Sequence, residues 1–98
     1  MTIPEKEKLI EEKKISLRAQ ARRLDYGMKI TSDLSHYAGA FLKEQEGCNL
    51  SKEESAAKLL ERLRSLSEAA AKLSADFDGL SRAKLKQADS LTIADINE

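Results

Sequence analysis

The 98-residue sequence predicts an all-α protein, a long antiparallel two-helix coiled-coil hairpin, on three observations. Apolar residues recur at alternating steps of three and four through Ala56, Leu59, Leu63, Leu66, Ala70, Leu73, Phe77 and Leu80. A matching series runs through Leu17, Ala21, Leu24, Met28, Thr31, Ser35, Ala38 and Leu42. Between them, Gly47 to Ser51 supplies the residues of a turn. Steps of three and four hold one helix face toward a neighbouring helix along its whole length.

Folding the chain back at that turn pairs the two series in antiparallel register. Leu42 then meets Ala56, Ala38 meets Leu59, Ser35 meets Leu63, and Thr31 meets Leu66. Met28 meets Ala70, Leu24 meets Leu73, Ala21 meets Phe77, and Leu17 meets Leu80. Six of the eight pairs set a large side chain against a small one, which keeps the facing volume even along the pair.

The first helix is expected over residues 4–45. Pro4 suits a helix start, because the amide proton it lacks has no helical acceptor there. The turn is expected over 46–51, with Gly47 in the left-handed conformation that ends a helix. Ser51 and Glu54 have capping-box spacing, and Glu53 and Glu54 favour the positive end of the helix dipole. The second helix follows over 52–88. At about 1.5 Å per residue, the two helices are about 55 to 65 Å long. Residues 89–98 form a tail, in which Thr92 can cap one short turn and Leu91, Ile93 and Ile96 could dock or pack near Ile3 and Leu9.

Proline is absent from both helix interiors, as helices of this length require. The alternative is a three- or four-helix bundle with breaks near Gly27, Gly39 or Gly79. The second series passes through Gly79 in phase, which favours continuity; a helical glycine costs only about 1 kcal/mol. Gly39 would allow close approach of Leu59. A single domain fits the length. Charged residues at 35% and aromatics at 4% suit helices with wet outer faces and a narrow buried stripe. No apolar run reaches membrane-spanning length, and the charged start lacks the apolar core of a secretory signal. One cysteine, Cys48, allows no internal disulfide, so a cytoplasmic, reducing location is expected.

One apolar line is left over. Ile30, Leu34, Tyr37 and Phe41 recur at helical spacing about 100° from the first series, and Leu60 falls near the same end of the hairpin. A contiguous apolar patch rich in aromatic anchors marks a contact surface. These five residues are the expected partner-binding site.

Charge gives a second candidate. Residues 13–29 contain Lys13, Lys14, Arg18, Arg22, Arg23 and Lys29 against Asp25 alone, a local net charge of +5. Arg18, Arg22 and Arg23 could form an anion-binding stripe for nucleic acid or an acidic membrane surface. The chain as a whole is neutral, and no aromatics interleave with these cations for base stacking. The expected register also brings Asp76 and Asp78 opposite Arg22 and Ala21. Nucleic acid therefore ranks below a protein partner.

Catalytic chemistry is not expected. His36 and Cys48 are the sole histidine and cysteine, twelve residues apart, with no carboxylate cluster to complete a metal set. A nucleophile needs an orienting base and a pocket, and a hairpin has no concave site. No glycine-rich phosphate loop is present. The sequence thus points to a non-enzymatic interaction module without metal or cofactor: a helical subunit, adaptor or chaperone of a larger assembly, docking through helix 1. A structural homo-oligomer is the further alternative. Small secretion chaperones, trafficking-complex subunits and GTPase-binding coiled coils share this general architecture, and no motif selects among them.

Overall fold

The computed structural model describes residues 2–47 and 52–95. Helix α1 spans Ile3–Gln45 and helix α2 spans Glu54–Ser90; a short 3-10 turn follows at Ile93–Asp95. Thr2 caps α1: its Oγ1 accepts the Glu5 amide at 3.3 Å, and its carbonyl accepts the Lys6 amide at 3.0 Å. At the start of α2, the Glu53 carbonyl accepts the Ala57 amide at 2.8 Å. Ser51, the expected cap, and Cys48 lie outside the described residues. Both helices run unbroken through their glycines, so the hairpin stands and the break-point alternative does not. Gly47 has no positive φ, contrary to expectation; it sits in an ordinary turn after Gln45. At the expected Thr92 cap the roles are reversed: the Asp95 carboxylate accepts the Thr92 amide and hydroxyl at 2.7 and 3.1 Å, and the Asp95 amide donates to the Thr92 carbonyl at 3.0 Å, so the Thr92 hydroxyl caps no amide.

The chain divides into two packed units, Gly27–Asp76 and Met1–Tyr26 with Phe77–Glu98. In the first, Ser67 Oγ donates to the Ser35 carbonyl at 3.0 Å and Ser74 Oγ donates to the Met28 carbonyl at 3.1 Å. Each carbonyl has a second lone pair beyond the one its own helix uses. A serine reaches that lone pair only if the two backbones approach closely. Small seam residues permit the approach: Ala38, Ala56 and Ala70 are buried, and Gly39 lies where an added Cβ would be 3.9 Å from Ser67 Oγ. Leu42, Leu60 and Leu63 are half-buried and fill the seam toward the turn.

In the second unit the same device recurs. Ser81, 2% exposed, has its Oγ 2.6 Å from Asp25 Oδ1 and 3.2 Å from the Ala21 carbonyl. The hydroxyl carries one proton, and the shorter, charge-assisted bond to the carboxylate is the stronger. Ile10, Ala21 and Ala88 are buried here, with Leu17, Leu24 and Phe77 half-buried. Arg18 lies 3.9 Å from Asp89 across the helix pair.

Two expectations need correction. Ser35, Met28 and Ala21 face Ser67, Ser74 and Ser81, each four residues further along α2 than the expected Leu63, Ala70 and Phe77. The observed register differs from the expected one by about one helical turn. The α2 seam also differs: Leu59, Leu66, Leu73 and Leu80 are 63, 49, 47 and 49% exposed, and Leu60, Ser67, Ser74 and Ser81 take their places. Ala56, Leu63, Ala70 and Phe77 belong to both alternations, so either choice preserves the heptad. The serine alternation adds hydrogen bonds to α1 and lets the backbones come closer; the leucine alternation would hold them apart. Gly39 accordingly faces Ser67 and not Leu59. Asp78 pairs with Arg82 on its own helix at 3.0 Å and not with the neighbourhood of Arg22.

Candidate docking face

Among the described residues of the unit Gly27–Asp76, seven large apolar side chains stay exposed. Ile30, Leu34, Tyr37 and Phe41 on α1 are 49, 41, 70 and 45% exposed, and Leu59, Leu66 and Leu73 on α2 are 63, 49 and 47% exposed. Each α1 member immediately precedes a seam residue: Thr31, Ser35, Ala38 and Leu42. Each α2 member does likewise, before Leu60, Ser67 and Ser74. One residue back on a right-handed helix is a rotation of about 100°. In an antiparallel pair, stepping back on both helices turns both side chains toward the same side. The two stripes therefore line one face of the helix pair.

The serine bonds also fix their heights. Taking Ser35 level with Ser67 and Met28 level with Ser74, Leu73 stands beside Ile30. Leu66 stands between Leu34 and Tyr37, and Leu59 stands near Phe41. The opposite face is polar: it carries Lys29, Ser32, His36 and Lys43 from α1, and Glu61, Arg64 and Glu68 from α2. His36 sits there, exposed, with its ring edge-on to Tyr37 at 5.5 Å. An apolar face and a charged face on one helix pair form an amphipathic slab, which buries its apolar side when another helical element covers it.

Of the five residues expected to bind a partner, Ile30, Leu34, Tyr37 and Phe41 are exposed together on this face. Leu60 is not; it is half-buried in the seam, and its neighbour Leu59 points outward instead. Leu66 and Leu73 belong to the face, although periodicity alone places them in the core. The available signal is the strict seven-residue spacing of Leu59, Leu66, Leu73 and Leu80, a line of identical residues on one side of α2.

Lys29 belongs to Gly27–Asp76, while Lys13, Lys14, Arg18, Arg22 and Arg23 lie in the other unit and are divided. Arg18 and Arg22 follow seam positions Leu17 and Ala21, whereas Lys13 and Arg23 precede Lys14 and Leu24. Their side chains therefore leave the helix on opposite sides, and Arg18 and Asp25 already have partners in Asp89 and Ser81. A groove of about 540 Å³ in this unit is lined by Lys13, Ser16, Leu17, Gln87, Ser90, Leu91 and Asp95. Among the described residues, no group of three histidine, cysteine or acidic side chains converges as metal ligands, and no helix is long and apolar enough to cross a membrane.

Comparison with protein-family models, with curated proteins and with solved structures returns no match.

Proposed function

We propose that this chain is a non-enzymatic protein-interaction module that docks through the apolar face of its Gly27–Asp76 unit. The observation supporting this reading is the joint exposure of Ile30, Leu34, Tyr37 and Phe41 with Leu59, Leu66 and Leu73 on one side of the helix pair. At 41 to 70% exposure these side chains present roughly 500–700 Å². That reaches or exceeds the largest apolar patch of an ordinary monomer, about 300–600 Å², and approaches the ~800 Å² that one partner contributes to a standard interface. Tyr37, the most exposed of the seven, has the rigid ring and polar tip that favour the centre of an interface. A role as a helical subunit, adaptor or chaperone of a larger assembly follows from the same face. The division of the basic side chains between two sides weighs against the nucleic-acid alternative.

The test is association measured by analytical ultracentrifugation and by affinity capture, comparing the native chain with a Tyr37→Lys/Leu66→Lys variant. The variant is expected to lose association while its helical circular dichroism is unchanged at micromolar concentration. Equal association by both proteins would refute the docking face.

A further inference from the structure

The exposed face is self-complementary, and we infer that its occupant is a second copy of this chain, applied antiparallel about a two-fold axis between Leu34 and Ala69. This rests on the docking reading above and names its partner.

A two-fold interface requires that if residue i meets residue j of the other copy, then j meets i. The outward stripe of α2 meets that requirement. It reads Arg62, Leu66, Ala69, Leu73, Asp76, all of them exposed. Reversed against itself about Ala69, it sets Ala69 on Ala69, Leu66 on Leu73, and Arg62 on Asp76. Apolar residues meet apolar residues, and the two charges that flank Leu66 and Leu73 are of opposite sign. Neither Arg62 nor Asp76 has an ion-pair partner among the described residues.

The α1 stripe is self-complementary too. Reversed about Leu34, it sets Leu34 on Leu34, Ile30 on Tyr37, and Phe41 on Gly27, the smallest residue against a large ring. The two centres are independent in sequence, yet they coincide in space. Ser67 is level with Ser35, so Ala69 is level with residue 33, one residue from Leu34. One axis therefore serves both helices. The product is a four-helix bundle in which α1 packs on α1 and α2 packs on α2, both antiparallel, around the seven apolar side chains of each copy. A heterologous partner would satisfy the area but would leave the Arg62–Asp76 symmetry without a cause.

The experiment uses the full chain in a Cys48→Ala background. Ala69→Cys is expected to give a covalent homodimer on mild oxidation, and Ala75→Cys, on the other side of α2, to give none. Arg62→Cys alone is expected to stay uncrosslinked, but to couple to Asp76→Cys when the two proteins are mixed. In sedimentation, Arg62→Asp and Asp76→Arg should each weaken the dimer about 3- to 10-fold, with the double reversal returning affinity to near the native value. Self-crosslinking by Arg62→Cys would mean a parallel pair and overturn the register. A monomer at 100-fold the working concentration, about 0.1–1 mM, would overturn the second copy as occupant. In that case association with another protein, lost on Tyr37→Lys/Leu66→Lys, would leave the docking face standing; association insensitive to that variant would remove both.

Discussion

Serine sets the approach of the helices at the residue scale. Ser67, Ser74 and Ser81 recur every seven residues; the first two hydroxyls donate to the Ser35 and Met28 carbonyls of α1, and the third, beside the Ala21 carbonyl, donates to Asp25 of the same helix. Each bond contributes about 1 kcal/mol net, and the small side chain brings the backbones together. Ser74→Leu is expected to destabilise the fold by about 1–3 kcal/mol through overpacking, measured by urea denaturation. Ser81→Ala should cost about 1 kcal/mol, because the exposed Asp25 can turn to water. Gly79 gives the opposite sign. It sits inside α2 with no positive φ, and nothing lies within 4 Å of an added Cβ. Gly79→Ala should therefore stabilise by about 0.5–1 kcal/mol, seen as a higher denaturation midpoint.

At the scale of the elements, the two helices are unequally legible. Leu17, Ala21, Leu24, Met28, Thr31, Ser35, Ala38 and Leu42 are all buried or half-buried, so the α1 seam is readable from period alone. On α2, period leaves two alternations through Ala56, Leu63, Ala70 and Phe77. Hydrophobicity favours Leu59, Leu66, Leu73 and Leu80; the structure uses the polar set. A hydrophobic pattern cannot register a hydroxyl that bonds to another helix's carbonyl, so hydrophobicity alone does not reveal the preference. The same blindness hides half of the candidate face, because leucines assigned to the core are not sought on the surface. Ile30, Leu34, Tyr37 and Phe41 escape it, since α1 already has a complete seam without them. If the seam is as described, Leu63→Ala should lower stability by about 2 kcal/mol or more. Leu59→Ala, at 63% exposure on the opposite alternation, should cost much less in a monomeric background such as Tyr37→Lys/Leu66→Lys.

For the whole molecule, the narrow seam limits what a lone chain can bury. Among the described residues, six hydrophobic residues are buried, five of them alanine, while thirteen large hydrophobics are exposed. Such a chain gains further stability by covering its apolar face, which couples its unfolding midpoint to association. Its thermal midpoint is expected to rise with protein concentration over a 100-fold range, and to lose that dependence in Tyr37→Lys/Leu66→Lys. Helicity that is independent of concentration in both proteins would mean the seam alone suffices.

All of this depends on which residues of α2 stand against α1, and disulfide trapping reads that directly. In a Cys48→Ala background, Met28→Cys/Ser74→Cys should close an intrachain disulfide on mild oxidation, because Ser74 Oγ lies 3.1 Å from the Met28 carbonyl. Met28→Cys/Ala70→Cys should close slowly or not at all. Preferential trapping of the Ala70 pair would return Leu59, Leu66 and Leu73 to the seam and dissolve the exposed face.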